Sequence, residues 1–248
     1  MFDPKAEIKK IIRDIKEWFD GNAPGKTAVL GISGGKDSTV AAALLKEALG
    51  AEHVLGIMMP NGVQKDIGDS ETVIKTLGIK GLNINIRGAY SAMLDSMESG
   101  SKLIATPDAE VNLQPRLRMA VLYMVAQTIP EGGIVINTCN RSEDYVGWAT
   151  KFGDCAGDMS VLGNYLVSEI IAMGDALGLP KNLVHKAPAD GLWGDTDEDR
   201  MGFTYDEEEA YIRTGTSGRD EADAKIERMH RTSRHKYEPM YFCGEALT

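Results

Sequence analysis

The segment with the clearest chemical meaning is a glycine turn, Ser33-Gly34-Gly35-Lys36-Asp37-Ser38. It joins the apolar run 27–32, which predicts a buried strand, to a predicted helix over residues 38–49. Two glycines allow backbone angles that are closed to other residues, and they let a ligand approach the chain. The N–H groups of such a turn and of the following helix converge on one place and carry partial positive charge. The turn therefore predicts a binding site for phosphate groups.

Side chains of the same turn add to this chemistry. Ser33 and Ser38 supply hydroxyl donors. Asp37 would repel a bare phosphate, so we expect it to hold a magnesium ion that bridges phosphate oxygens. The turn is not a Walker A loop, because Leu30 stands where that motif has its first glycine and Asp37 follows Lys36. It does not fit the Gly-x-Gly-x-x-Gly turn of dinucleotide-binding proteins either.

The elements around the turn predict a parallel sheet. Apolar patterns predict helices at 8–19, 38–49, 67–77 and 112–128 that alternate with strands at 27–32, 53–59, 82–86 and 133–137. Such alternation is typical of parallel strands joined by crossover helices. Further helices are predicted at 165–177, 206–213 and 220–234, with a functional loop at 188–202. The chain is therefore expected to be one α/β domain over 1–248, a doubly wound parallel sheet flanked by helices. Its ligand site should lie at the carboxyl ends of the strands.

The charge, the apolar stretches and the cysteines of the chain limit the classes of partner and the compartment that we expect. Among 248 residues, 27 Lys and Arg oppose 37 Asp and Glu, for a formal charge of −10. An acidic chain is a poor match for nucleic acid, whose phosphates need a basic field. No apolar stretch approaches the ~20 residues that span a bilayer, and the charged N-terminus lacks a signal core. The three cysteines form no CxxC pair, which favours a reducing, cytoplasmic compartment.

The helix predicted at 112–128 is apolar on nearly all sides in its middle, at Leu117 and over residues 120–126. A helix buried all round in a chain of this size indicates either a subunit interface or a central place in one domain. The sequence alone leaves both interpretations open.

The turn resembles the PP-motif of the N-type ATP pyrophosphatases. These enzymes cleave ATP between the α- and β-phosphates and adenylate a substrate oxygen. They include NAD, GMP and asparagine synthetases and several tRNA-modifying enzymes, and the turn alone does not choose among them. The resemblance implies an adenine nucleotide alpha hydrolase-like, Rossmann-like fold. It also implies ATP contacts from the turn and the strand end before it, at Gly31, Ile32, Ser33, Gly34, Gly35, Lys36, Asp37 and Ser38.

Further segments resemble those of one branch, the ammonia-dependent NAD synthetases. The matching stretches follow the family's order along nearly the whole chain: Asn112 to Met119 (Asn-x-x-x-Arg-x-Arg-Met), Asn137 to Glu143, Lys151 to Asp158 (Lys-x-Gly-Asp-x-x-x-Asp), Pro188 to Phe203, and His235-Lys236. The chain is thus identified as a member of this family. The resemblance implies magnesium ligands at Asp37 and Glu143 and an ATP contact at Thr138. It implies deamido-NAD contacts at Asn112, Arg116, Lys151, Asp158, His235 and Lys236, with Asp37 and Asp158 as the catalytic carboxylates.

Two positions depart from the family pattern. Val167 stands where the family usually has a lysine that reaches ATP, and Ala189 stands where it has Thr or Ser. A charge and a hydroxyl on the nucleotide side are therefore missing. We hypothesise that Lys36 or Lys186 supplies the lost charge.

The implied enzyme is a C–N ligase of NAD biosynthesis. It would adenylate the nicotinate carboxylate of deamido-NAD with ATP and magnesium, and ammonia would then displace AMP to give NAD. The chain has no room for a glutamine-cleaving domain, so ammonia would come from solution or a partner protein. The family's homodimer is expected, with neither nucleic acid nor membrane as partner. Three alternatives stay open: a GMP-synthetase-like subunit, a tRNA-modifying relative, and a nucleotide sensor that has lost turnover.

Overall fold

The centre of the computed structural model, which describes residues 2–64, 67–186 and 196–244, is a parallel sheet. Its strands lie in the spatial order β3-β2-β1-β4-β5. Their bounds are β1 Thr27–Gly31, β2 Val54–Met58, β3 Lys80–Asn83, β4 Gly133–Asn137 and β5 Met159–Ser160. All the pairings are parallel, and Ala28 of β1 lies opposite Val54 on one side and Ile134 on the other. The chain winds outward from β1 to β3 and then returns to β4, so the winding direction reverses between β1 and β4.

Helices connect and flank these strands. Their bounds are α1 Pro4–Asn22, α2 Lys36–Leu49, α3 Ile67–Leu77, α4 Arg87–Ser101, α5 Pro107–Thr128, α6 Arg141–Val146, α7 Val167–Ala176, α8 Lys181–Val184, α9 Asp197–Met201, α10 Tyr205–Thr214 and α11 Asp220–Ser233. Within the described ranges, no helix combines the length and the apolar character that crossing a membrane requires. Local signals explain several of the ends: the Asp3 carboxylate caps α1, and Gly50 follows the last turn of α2.

Both faces of the sheet are covered, as the doubly wound prediction requires. Ala28 and Leu30 of β1 belong to a core formed with α1, α2 and α7, whereas Val29 between them belongs to a second core with α5. Successive strand residues point to opposite faces, so one apolar strand serves two cores. The predicted α/β class and sheet are therefore confirmed.

Some predicted elements differ in detail. The pattern at 82–86 predicted a strand, but β3 ends at Asn83. Ile86 is buried as the residue before α4, and its apolar character comes from that packing. The sequence patterns did not predict α4, whose only buried residue is Tyr90, or the short helix α6. A surface helix with so narrow a buried face leaves a weak periodic signal.

Helix α5 is buried on one side only. Met119, Leu122, Val125 and Ala126 are buried, whereas Met124 keeps 57% of its surface exposed. The prediction of a helix buried all round is thus not met within one chain. The exposed apolar side chain keeps the interface interpretation open.

Candidate active site

The glycine turn lies where the direction of winding reverses. It follows Gly31, the last residue of β1, and leads directly into α2. No side chain caps the start of α2, which leaves its first N–H groups available to a ligand. The turn is held by its own hydroxyls: the Gly35 N–H donates to Ser33 Oγ at 3.2 Å, and Ser33 Oγ lies 3.1 Å from Ser38 Oγ. A turn of this kind that leads into a helix N-terminus without a side-chain cap is typical of an anion site.

Gly34 is the residue of the turn that must be glycine. Its φ is +81°, in the left-handed region, and a Cβ at this position would lie 2.6 Å from the Cβ of Asp69 and 2.9 Å from the Ser70 nitrogen. A larger residue would therefore strain the backbone and push against α3. The close approach of α3 explains why the turn needs glycine here.

A cavity of about 720 Å³ opens beside the turn. It lies between the carboxyl ends of β1 and β4, where open α/β sheets bind ligands. The cavity brings together most of the residues that were predicted for ATP and magnesium: Gly31, Ile32, Ser33, Gly35, Lys36, Asp37, Ser38, Thr138 and Glu143.

Asp37 and Glu143 bring two carboxylates to this cavity from different helices. Buried Asn140 links them: its Nδ2 donates to Asp37 Oδ1 at 3.0 Å, and its Oδ1 accepts from the Glu143 N–H at 3.0 Å. Burial, followed by repulsion from Asp37, raises the pKa of Glu143 well above its ordinary value. Two adjacent carboxylates that repel one another are a donor set that suits a hard divalent cation. The residues present therefore fit magnesium.

Arg118 is a site residue that the sequence analysis did not select. It lines the cavity, its Nε donates to the Met59 carbonyl at 3.1 Å, and burial lowers the pKa of its guanidinium. Arg116, which was predicted to bind substrate, is exposed and donates to the Lys151 carbonyl outside the cavity lining. Helical spacing could have indicated that Arg118 is a cavity residue, because Gln114, Arg118 and Leu122 are four residues apart and all line the cavity.

The other residues predicted to bind deamido-NAD lie away from the main cavity lining in the described structure. Asn112 accepts from the Thr150 hydroxyl at 2.6 Å, and Lys151 Nζ donates to the His235 carbonyl. Lys236 Nζ donates to two carbonyls that follow α6, each at 2.7 Å. The hydrogen bonds of Lys151 and Lys236 hold the C-terminal segment against the residues that follow α6. Their proposed contacts with substrate stay predictions.

Asp158 immediately precedes β5 and lies beside the middle of β4. Its Oδ1 accepts from the Tyr123 hydroxyl at 3.1 Å, and its Oδ2 accepts from the Val135 N–H at 2.8 Å. It lines a second cavity of about 240 Å³, which shares Asn137 with the main one. Its predicted catalytic role stays a prediction.

The structure describes one of the two positions that depart from the family pattern, Val167. Val167 is buried against α9–α11 residues, including Phe203 and Tyr205, where a lysine would have no place. Ala189 lies outside the described residues, as does much of the predicted loop at 188–202. Both lysines proposed as substitutes line the cavity: Lys36 contacts Asp37, and Lys186 Nζ lies 2.7 Å from Asp69 Oδ2.

Cys139 also lines the cavity, but its environment favours a structural role. Its Sγ donates to the Asp154 carbonyl at 3.2 Å, and burial raises the pKa of the thiol well above its ordinary value. A thiol kept protonated is a poor nucleophile.

Comparison with known proteins places this geometry in a family. The model of the family described as NAD synthase matches residues 7–240. The chain is 37% identical over 234 residues to the NH(3)-dependent NAD(+) synthetase of Finegoldia magna, covering 92% of each protein. Among solved structures it resembles the NMN synthetase of Francisella tularensis, with a TM-score of 0.89 and 36% identity over 98% of this chain and 99% of that one. It also resembles the NH3-dependent NAD synthetase of Campylobacter jejuni, with a TM-score of 0.77 and 26% identity over 98% of this chain and 100% of that one. The chain therefore belongs to the NAD synthase family.

Proposed function

We propose that the main cavity is the active site of an ammonia-dependent NAD synthase. The chain is a C–N ligase that uses ATP to convert a nicotinate carboxylate to an amide. The observation that carries the placement is that one cavity joins the glycine turn, the Asp37–Glu143 carboxylates and the half-buried Arg118.

The turn supports the first step. A carboxylate oxygen of the acid nucleotide attacks the α-phosphorus of ATP, the bond from that phosphorus to the bridging oxygen breaks, and pyrophosphate leaves. The backbone amides at 33–38 bind the departing charge with dipoles that are already oriented, so little reorganisation is needed. Asp37 and Glu143 would hold Mg²⁺, which would shield the phosphate charge from the incoming carboxylate. The Arg118 guanidinium supplies positive charge for the anionic substrates.

The second step completes the amide. Ammonia attacks the carbonyl carbon of the acyl-adenylate, the bond to the AMP oxygen breaks, and one proton leaves the new nitrogen. Adenylation matters because a free carboxylate has no adequate leaving group. We propose Asp158 as the group that takes the proton, supported by its place beside β4 in the second cavity, which shares Asn137 with the main cavity.

We propose that the enzyme acts as a homodimer in the cytoplasm. Support for the dimer comes from exposed apolar side chains on and just before α5, where Leu103 is 65%, Ile104 is 82% and Met124 is 57% exposed. Leu103 and Ile104 are adjacent in the sequence, and exposed apolar surface of this kind is typical of a protein interface. The three free cysteines fit a reducing compartment. Sedimentation of the full chain should give twice its monomer mass.

One assay separates the proposed function from its alternatives. Protein mixed with ATP, Mg²⁺, ammonium and deamido-NAD should release pyrophosphate and AMP and form NAD in equal amounts. A nucleotide sensor would bind ATP but release no pyrophosphate. A GMP-synthetase-like or tRNA-modifying enzyme would leave deamido-NAD unchanged. The Asp37→Asn variant serves as the matched control, because it removes charge while keeping the side-chain shape.

A second candidate function is amidation of nicotinate mononucleotide. It is favoured by one observation: the neighbour titled NMN synthetase matches with a TM-score of 0.89, against 0.77 for the Campylobacter NAD synthetase. The two functions share the chemistry and differ only in the length of the acid substrate. The ratio of kcat/KM for the mononucleotide and dinucleotide acids, measured at one ammonium concentration, decides between them.

A further inference from the structure

The turn contains a buried ammonium group in an unfavourable place. The Lys36 side chain is 3% exposed and is the first residue of α2. The N-terminus of a helix carries partial positive charge, so it disfavours a cation. Burying an ammonium group is also costly unless it is paired. Lys36 must therefore be held by strong compensating contacts.

Three carboxylates from three helices supply that compensation. Lys36 Nζ lies 2.9 Å from Asp37 Oδ2, and it also lies 5.8 Å from the centre of the Tyr205 ring. The Tyr205 hydroxyl donates to Asp197 Oδ2 at 3.2 Å, and Asp197 is buried. Glu143 and Asp197 line the same cavity as Lys36 and Asp37, and Asn140 bonds both Asp37 and the Glu143 N–H, so three carboxylates surround the ammonium site.

The same carboxylates are the ones that fit magnesium. Asp37 Oδ2 accepts from Lys36, while Asp37 Oδ1 accepts from Asn140 at 3.0 Å. Both oxygens of Asp37 are thus engaged by protein donors. A free divalent cation would have to displace such a bond and approach the Lys36 ammonium, which repels it. The triphosphate of ATP brings negative charge that offsets this repulsion.

We propose that Lys36 is an internal counter-cation of Asp37 and Glu143 that makes divalent-cation binding depend on nucleotide. The inference rests on the proposed function, because that function assigns the two carboxylates to the metal. Lys36 stabilises the carboxylate pair in the protein alone, and a metal ion binds there well only together with ATP. Lys36 thereby acts as a positioning residue that sets the order in which the ligands bind.

The test measures Mn²⁺ binding by the full chain without turnover. The electron paramagnetic resonance signal of free Mn²⁺ is followed during titration, with and without α,β-methylene-ATP, which cannot be cleaved at the reacting bond. Wild-type protein should bind Mn²⁺ at least about tenfold more tightly with the analogue present. Lys36→Met should bind Mn²⁺ alone at least about tenfold more tightly than wild type, because it removes the repelling charge.

Two further variants control for charge and structure. Lys186→Met removes the same charge from the cavity wall beside Asp69, so its affinity for Mn²⁺ alone should change by less than about threefold. Lys36→Arg keeps the charge and should keep the weak binding of Mn²⁺ alone.

Several results would overturn the proposal. Tight binding of Mn²⁺ by wild type without nucleotide would do so, and this result does not depend on any variant folding. Equal affinities of wild type and Lys36→Met for Mn²⁺ alone, or an equal gain in Lys186→Met, would do so too. Failure of the proposed function is a separate result: the wild type would form no AMP with all substrates present, whatever its Mn²⁺ binding.

Discussion

Replacing Gly34 with alanine tests the shape of the phosphate-binding turn. The new Cβ would lie 2.6 Å from the Asp69 Cβ and 2.9 Å from the Ser70 nitrogen, and Ser70 is fully buried. The left-handed backbone at φ +81° adds strain of about 1–2 kcal/mol. Crowding against a packed helix adds about 1–3 kcal/mol more, since the backbone of α3 cannot give way easily.

Gly78→Ala is the matched control. Gly78 also has a left-handed φ, +65°, but nothing lies within 4 Å of its would-be Cβ. This variant carries the strain without the crowding. We expect it to lose about 1 kcal/mol of stability, a fall in Tm of about 2–4 °C for a chain of this length, with no change in nucleotide affinity.

Urea unfolding and calorimetric titration with an ATP analogue measure the two parts of the loss for Gly34→Ala. If the turn keeps its conformation in the variant, the strain lowers the free energy of unfolding. If the turn changes conformation, its backbone amides are displaced and the affinity for nucleotide falls. The sum of the two losses should exceed the total for Gly78→Ala by more than about 1 kcal/mol. Equal losses in both variants would refute the view that α3 dictates glycine at position 34.

Three further predictions concern Arg118, the buried Glu208 and two of the cysteines. Arg118→Met should lower kcat/KM for the acid nucleotide by about tenfold or more in steady-state kinetics, and a change of less than about threefold would contradict its assigned role. Glu208 is buried, neither of its carboxylate oxygens has a hydrogen-bond partner among the described residues, and burial raises its pKa to about 9. Because the pKa of Glu208 is higher in the folded than in the unfolded state, its favourable contribution to the free energy of unfolding is fully present below about pH 4.5 and is lost as pH rises toward 9. In urea unfolding, Glu208→Gln should therefore be more stable than wild type by more than about 1 kcal/mol at pH 8 and by little at pH 5. Iodoacetamide at pH 7 should modify exposed Cys243 and spare buried Cys139, which peptide mass spectrometry resolves; rapid loss of the Cys139 thiol would contradict its assigned environment.

Local patterns account for much of the fold. Helix α3 and strand β4 were predicted to the residue, because apolar patterns mark both and glycines mark one end of each: Gly78 follows α3, and Gly132 precedes β4. The glycine turn was placed correctly for the same reason. Helix α4 was missed because it buries one residue, and strand β3 was extended too far because Ile86 packs in a loop.

The site was only partly predictable, because much of it depends on long-range contacts. Local spacing identified the turn, whereas the family resemblance identified Asp37 and Glu143 as a pair; parallel topology brings both to one sheet edge. Which of Arg116 and Arg118 lines the cavity depends on the rotation of α5 about its axis, which only packing fixes. The place of Asp197 beside Lys36 depends on α9 returning to the cavity from about 160 residues away in the sequence, and no local pattern encodes that.

The central claim is that the turn amides bind the pyrophosphate portion of ATP while Asp37 and Glu143 bind one divalent cation. A crystal structure of the protein with α,β-methylene-ATP and Mn²⁺, with anomalous data collected at the manganese edge, tests it most directly. The account predicts one strong manganese peak in contact with both carboxylates, and the β- and γ-phosphates on the N–H groups of residues 33–38. A triphosphate bound elsewhere, or a manganese ion that contacts neither Asp37 nor Glu143, would contradict it.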